Sequence, residues 1–160
     1  MSKVAVIMGS RSDLDAMSEA FDVLKEFNID FEARAMSAHR TPDAVAEYVK
    51  ALADRDFKVV ICGAGMAAHL AGVCASHTHL PVIGVPMKGT LNGLDSLLST
   101  VQMPRGIPVA TTAIGGSGAY NAALLAVQML SLCDKNLEEK LISFRKAQTE
   151  KVLSQAEIEA

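Results

Sequence analysis

The side chains that point most directly to chemistry lie in residues 37–41, Ser-Ala-His-Arg-Thr, just before Pro42. His39 can carry a proton, because histidine is the side chain whose ordinary titration lies near neutral pH. Arg40 can bind an anion, because a guanidinium donates paired hydrogen bonds to a phosphate. The two residues suggest proton transfer beside a phosphate-bearing ligand, although this segment alone is equally compatible with a surface histidine and a solvated arginine.

A second polar segment, residues 9–13 (Gly-Ser-Arg-Ser-Asp), follows the first apolar run of the chain. If a helix begins there, its free backbone N–H groups and its dipole favour an anion. Ser10, Ser12 and Arg11 would add donors and positive charge, and the carboxylate of Asp13 can accept hydrogen bonds from vicinal sugar hydroxyls. The alternative is that Ser12 or Asp13 caps the helix. The GxxxxGK[ST] spacing of a P-loop is absent.

Residues 62–69, Cys-Gly-Ala-Gly-Met-Ala-Ala-His, form a third candidate loop. Gly63, Gly65 and Ala68 match the relaxed dinucleotide fingerprint G-x-G-x-x-A. That motif belongs after the first strand and requires an acidic residue about 20 positions later, whereas residues 57–94 contain no Asp or Glu. We therefore reject a dinucleotide site and expect the glycines to admit another ligand or to allow close helix–strand packing.

The remaining candidates for chemistry are weaker. His77 and His79 are one residue apart, but no acidic residue or well-spaced cysteine joins them, so we expect no metal site. The run Gly-Gly-Ser-Gly at 115–118 is expected to be a flexible turn, with a second anion-binding loop as the alternative. Three cysteines without CxxC spacing are expected to be reduced core thiols.

Composition excludes several function classes. The 160-residue chain has a formal net charge of -3 and is 4% aromatic without tryptophan. A nucleic-acid or anionic-membrane surface would be basic, and single-strand binding requires aromatic side chains for stacking. The first apolar run is too short for a signal peptide, and no stretch is long enough to span a bilayer. We therefore expect a cytoplasmic protein without nucleic-acid or membrane partners.

The elements that must position these loops alternate along the chain. Apolar runs predict strands at 3–8, 31–36, 57–62, 80–85 and 107–114, and helical periodicity or helix-start signals predict helices at 13–27, 41–53, 66–77, 92–100, 120–133 and 134–155. Alternating strands and helices indicate one domain over residues 1–160, a three-layer α/β/α sandwich with a parallel sheet. Ligands bind at the carboxyl ends of such strands, so the important loops are 9–13, 37–41, 63–69 and 88–95.

Seven motifs resemble those of the N5-carboxyaminoimidazole ribonucleotide mutase family, the catalytic-subunit type of phosphoribosylaminoimidazole carboxylase. The resemblance covers essentially the whole chain, and it depends on all seven motifs in register rather than on any single one. In chain order they are GSxSD at 9–13, SAHRTP at 37–42, GAGxAAHL at 63–70, GLDSL at 93–97, VQMPxGIP at 101–108, NAALLA at 121–126 and RKAQT at 145–149.

The resemblance implies a flavodoxin-like sandwich and an isomerase that converts N5-carboxyaminoimidazole ribonucleotide to 4-carboxy-5-aminoimidazole ribonucleotide without metal or cofactor. It also implies a homo-octamer with sites between subunits, in which the helix at 134–155 packs on neighbouring subunits. His39 matches the family's general acid–base position. Ser10, Asp13 and Arg40 match its ribonucleotide-contacting positions. The other implied pocket residues are Ser12, Ser37, Gly65, Ala68, His69 and Leu70.

Two other functions stay open at this stage. A related class carboxylates aminoimidazole ribonucleotide directly with carbon dioxide; it tends to carry Lys after the His, so Arg40 and the run 67–70 favour the mutase. The other function is a non-catalytic nucleotide- or flavin-binding module on the same sheet. The chain departs from the family's commoner residues at Met66, Lys88, Gly89, Gly116 and Ser117, none of which has been given a catalytic or phosphate-binding role.

Overall fold

A computed structural model describes residues 3–156, which form a five-stranded parallel sheet covered by helices on both faces. The strand order β2-β1-β3-β4-β5 is the doubly wound order typical of flavodoxin-like sheets. This confirms the predicted fold class. The strands are β1 Lys3–Met8, β2 Asp30–Ala35, β3 Phe57–Ala64, β4 Val82–Pro86 and β5 Ala110–Thr111. The helices are α1 Leu14–Glu26, α2 Pro42–Lys50, α3 Leu70–His77, α4 Leu94–Val101, α5 Gly116–Ser131 and α6 Lys135–Leu153.

The hydrophobic core consists of two layers, one on each face of the sheet. Alternate residues of a strand point to opposite faces, so Val4 and Val6 of β1 pack with α1 and α5, whereas Ala5 and Ile7 pack with α2 and α3. Because β1 is buried on both faces, its sequence is continuously apolar rather than alternating. α6 packs on the α1–α5 layer through Leu137 and Leu141. The central strands are therefore a rigid support for the loops at their ends.

Two predicted elements differ from the structure near the end of the sheet. β5 pairs with β4 only at Ala110 and Thr111, instead of over the predicted 107–114. Pro108 lacks the N–H that a longer ladder would need. The prediction of a flexible turn at 115–118 is wrong, because α5 begins at Gly116. An added Cβ at Gly118 would overlap the carbonyl oxygen of Ala113, so Gly118 allows a close backbone approach at the start of α5.

The third loop also differs from its prediction. Helix α3 begins at Leu70 rather than at residue 66, because Met66 has a φ of 53° and so breaks the helical conformation.

Cys62 and Cys74 are buried free thiols as expected, but Cys133 is exposed, so the expectation of a core position was wrong for that residue. Between residues 3 and 156, no helix has the length and apolar character required to cross a bilayer.

Candidate active site

A cavity of about 510 Å³ lies at the carboxyl ends of β1, β2, β3 and β4. It is lined by parts of all four loops expected from the strand-end rule. Nine of the predicted site residues line it: Ser10, Ser12, Asp13, Ser37, His39, Arg40, Gly65, His69 and Leu70. Ala68 does not line it. The Ala68 side chain is buried in the core beneath the third loop and is 1% exposed, so the prediction that it lines the pocket is wrong. The third loop lines the cavity with Ala64, Met66 and Ala67 instead.

The feature that sequence reasoning missed is a hydrogen bond between two histidines. Nε2 of His39 lies 2.8 Å from Nδ1 of His69, with the rings edge to face at 84°. The loops after β2 and β3 supply the two residues, which are 30 positions apart in the chain. When His39 is an imidazolium it donates this bond and His69 accepts it. The hydrogen bond to His69 therefore fixes the orientation of the His39 ring.

Local hydrogen bonds hold the His39 loop in shape. The Ser37 N–H donates to Oγ1 of Thr41 over 3.0 Å, and that hydroxyl donates back to the Ser37 carbonyl over 3.0 Å. The Arg40 N–H donates to Oγ of Ser37 over 3.1 Å. Pro42 then occupies the first turn of α2, as predicted. The turn presents His39 and Arg40 side by side at the cavity wall.

Arg40 joins the first two loops. Its Nη2 donates to the carbonyl oxygen of Gly9 over 3.2 Å. This bond uses one of the five N–H donors of the guanidinium. The remaining donors can serve an anion in the cavity, which both Arg40 and Gly9 line.

The serine hydroxyls at the cavity wall are arranged to donate. Oγ of Ser10 accepts from the Ser12 N–H over 3.2 Å and from the Ser12 hydroxyl over 2.9 Å. Both acceptor positions of that hydroxyl are then in use, which leaves its own O–H to donate. Oγ of Ser37 likewise accepts a backbone N–H and keeps its donor. Donors of this kind suit phosphate oxygens.

Asp13 is a half-buried carboxylate at the same wall. Asp13 occupies the N-cap position of α1, as the capping alternative expects, but its side chain makes no capping hydrogen bond there. The side-chain cap of the short 3-10 turn before α1 is Ser10 rather than Ser12. Burial raises the pKa of the Asp13 carboxyl, an effect that the Ser10 backbone N–H partly offsets. A carboxylate left in this way can accept hydrogen bonds from ligand hydroxyl groups.

The glycines of the third loop have different functions. An added Cβ at Gly63 would lie 2.5 Å from Sδ of Met17 and 2.9 Å from Cε of Met87, so Gly63 permits close helix–strand packing. Gly65 lines the cavity. The fourth loop contributes Lys88 and Gly89, which sequence reasoning placed in an important loop without a role.

No cluster that could bind a metal ion is present in the part of the chain that the structure describes, which was searched for three or more grouped His, Cys, Asp and Glu side chains. His77 ends α3, and His79 lies just before β4. Both are therefore near the amino ends of the strands, at the end of the sheet opposite the cavity. The groups that line the cavity are paired imidazoles, the guanidinium of Arg40, the ammonium of Lys88, serine hydroxyls and one carboxylate.

Comparison with known proteins assigns the family. The model of the AIR carboxylase family matches residues 3–151. The chain belongs to the AIR carboxylase family. The AIR carboxylase match spans all five strands and nearly all of α6, so it includes every loop of the cavity.

Curated members of the AIR carboxylase family are similar over nearly their whole length. The N5-carboxyaminoimidazole ribonucleotide mutase of Saccharolobus solfataricus is 56% identical over 155 residues, covering 96% of this chain and 97% of that protein. The enzyme of the same name from Bacillus subtilis is 52% identical over 155 residues, with 96% of each chain covered. A crystal structure of Treponema denticola PurE matches with a TM-score of 0.86, 30% identity and 96% coverage of both chains. These findings confirm the predicted family and fold.

Proposed function

We propose that this chain is an isomerase that converts N5-carboxyaminoimidazole ribonucleotide to 4-carboxy-5-aminoimidazole ribonucleotide, with His39 as general acid and base. The observation that carries the proposal is the His39–His69 hydrogen bond at the wall of a cavity that also holds Arg40. The names of the relatives that match over nearly full length give the same reaction.

The cavity wall is suited to a ribonucleotide. Arg40, Ser10 and Ser37 supply positive charge and hydroxyl donors for the phosphate, with Ser12 supporting Ser10. The carboxylate of Asp13 would accept hydrogen bonds from the ribose hydroxyls. The imidazole pair and the backbone of the third loop, including Gly65 and Leu70, remain for the base and its carboxyl group.

The proposed reaction breaks one bond and forms another on the same molecule. A protonated His39 donates to the exocyclic nitrogen as its bond to the carboxyl carbon breaks, which yields carbon dioxide and aminoimidazole ribonucleotide. The ring carbon next to the amino-bearing carbon attacks the carbon dioxide, and neutral His39 then removes the proton from that ring carbon. His39 ends as it began, so the sum requires no oxidant, ATP or cofactor. A positioned acid or base of this kind contributes roughly 10²–10⁴ in rate.

His69 positions His39 for both proton transfers, because the hydrogen bond between its Nδ1 and Nε2 of His39 holds the His39 ring in place. Holding carbon dioxide beside its acceptor makes the second step intramolecular, which contributes several kcal/mol. Both histidines are exposed in the single chain, so a closed site requires substrate or another subunit above them.

The homo-octamer is part of this proposal. Leu94, Leu98 and Val101 lie on one face of α4 and are 54%, 50% and 46% exposed. Apolar side chains in such a row are typical of a protein–protein contact. Ile142 of α6 is also 62% exposed, which supports packing of the helix at 134–155 on neighbouring subunits. We further propose that residues 1–160 act as one domain in the cytoplasm.

The test is an assay of the purified chain with the carbamate substrate, without metal, ATP or cofactor. Product should form from the carbamate faster than from aminoimidazole ribonucleotide supplied with bicarbonate. His79→Asn is the matched control for His39→Asn, because it removes an imidazole at the amino ends of the strands, away from the cavity. His79→Asn should keep full activity. Faster product formation from bicarbonate would favour the direct carboxylase, and a yellow, inactive protein would favour the flavin-binding module.

A further inference from the structure

Thr41 precedes helix α2, but its side chain does not cap that helix. The residue occupies the N-cap position, where a threonine hydroxyl usually accepts a hydrogen bond from one of the first backbone N–H groups of the helix. The Thr41 side chain makes no such bond to α2. Its hydroxyl is turned backward along the chain instead, toward Ser37. A hydroxyl that would ordinarily stabilise the helix end is therefore committed to the turn that carries His39 and Arg40.

Three hydrogen bonds between Thr41 and Ser37 close this turn into a ring. The Ser37 N–H donates to Oγ1 of Thr41 over 3.0 Å. The Thr41 hydroxyl and the Thr41 backbone N–H both donate to the Ser37 carbonyl oxygen, over 3.0 and 2.9 Å. Two of the three bonds therefore require the Thr41 hydroxyl. Thr41 is not among the residues that line the cavity, so its hydroxyl can influence the reaction only through the residues of the turn.

The two functional side chains of the turn differ in how much they depend on this ring. Arg40 has two anchors that do not involve Thr41: its backbone N–H donates to Oγ of Ser37, and its Nη2 donates to the Gly9 carbonyl oxygen. His39 has one such anchor, the bond from the tip of its ring to His69. Arg40 also has a long, flexible side chain that can follow a phosphate. A loosened turn would therefore disturb His39 more than Arg40.

We propose that Thr41 is a positioning residue for proton transfer, whose hydroxyl closes the turn at 37–41 and so holds the His39 imidazole against the reacting atoms. The inference rests on the proposed function, because it takes His39 as the group that moves the proton. A misplaced acid or base slows the chemical step, and a displacement of about 1 Å can cost roughly 10² in rate. Loss of the Thr41 hydroxyl should therefore lower kcat while ribonucleotide binding through Arg40 persists.

The experiment measures turnover of the carbamate and calorimetric affinity for the product with purified full-length protein. Thr41→Val keeps the side-chain shape without the hydroxyl, and it should lower kcat roughly tenfold with nearly unchanged product affinity. Thr41→Ser keeps the hydroxyl and should restore most of the turnover. Thr78→Val is the matched control, because Oγ1 of Thr78 likewise accepts a backbone N–H, from Leu80 over 3.2 Å, near the amino ends of the strands. Thr78→Val should turn over as the wild type does.

A double-mutant cycle separates positioning of His39 from a merely structural role. If Thr41 acts through His39, Thr41→Val should cause no further loss of turnover in a His39→Asn background. Unchanged kcat in Thr41→Val, an equal fold loss in both backgrounds, or no rescue by Thr41→Ser would each overturn the proposal.

Hydrogen exchange tests the closed turn without reference to turnover. The Ser37 amide loses its acceptor in Thr41→Val, so it should exchange faster there than in the wild type and in Thr41→Ser. Equal exchange rates in the three proteins would also overturn the proposal. A wild type that forms no product from the carbamate would contradict the proposed function instead, and the exchange rates would still test the closed turn.

Discussion

Replacement of His69 by leucine should lower kcat about tenfold while leaving ribonucleotide binding nearly unchanged. The 2.8 Å contact between Nδ1 of His69 and Nε2 of His39 is the interaction removed. Hydrogen bonds to charged groups contribute about 1.5–3 kcal/mol. Both rings are exposed in the single chain, so the lower end of that range applies, and about 1.5 kcal/mol corresponds to a little more than a tenfold change in rate.

The assay compares kcat and product affinity for two variants at the same position. Leucine at 69 offers no acceptor, whereas the side-chain oxygen of asparagine can occupy the place of the imidazole Nδ1. His69→Asn should therefore retain clearly more turnover than His69→Leu, with equal product affinity in both. Full activity in His69→Leu would refute the reasoning, as would equal losses in the two variants.

Three further predictions concern the rest of the wall and the fold. Because burial raises the pKa of the Asp13 carboxyl, the ionised group destabilises the fold at neutral pH. Asp13→Asn should therefore raise the melting temperature at pH 7 and bind ribonucleotide more weakly. The gain in melting temperature should disappear as pH falls through the raised pKa to the ordinary value of 3.8. Arg40→Ala should weaken binding of the phosphorylated ligand far more than of its dephosphorylated form in paired titrations, and equal losses would remove Arg40 from the phosphate site. Gly118→Ala should cost about 3 kcal/mol or more of unfolding free energy in denaturant titrations, because its Cβ overlaps the Ala113 carbonyl; an unchanged midpoint would contradict the close approach.

The sheet and the place of the site could be predicted because both depend on local patterns. Continuous apolar runs identify β1 and β3 as strands buried on both faces. The strand-end rule then brings the loops at 9–13 and 37–41 together without knowledge of any side-chain contact. The polar residues of those loops face the cavity because the apolar core offers them no hydrogen-bond partners.

The details of the site could not be predicted because they depend on contacts between distant residues. The bond between His39 and His69 requires the relative positions of two loops that no spacing in the sequence specifies. Glycine at position 118 is a residue type typical of turns, but it is required there because the Ala113 carbonyl leaves no room for a Cβ. Met66 fits a helical pattern by composition, and only its positive φ shows that the helix starts later.

The central claim, that His39 carries the proton, is tested most directly by His39→Asn. The variant should bind the product ribonucleotide with nearly wild-type affinity in a calorimetric titration, because Arg40, Asp13 and the serines remain. Its turnover of the carbamate should fall by roughly 10²–10⁴, the contribution of a positioned acid–base group. Near-normal turnover in His39→Asn would contradict the account.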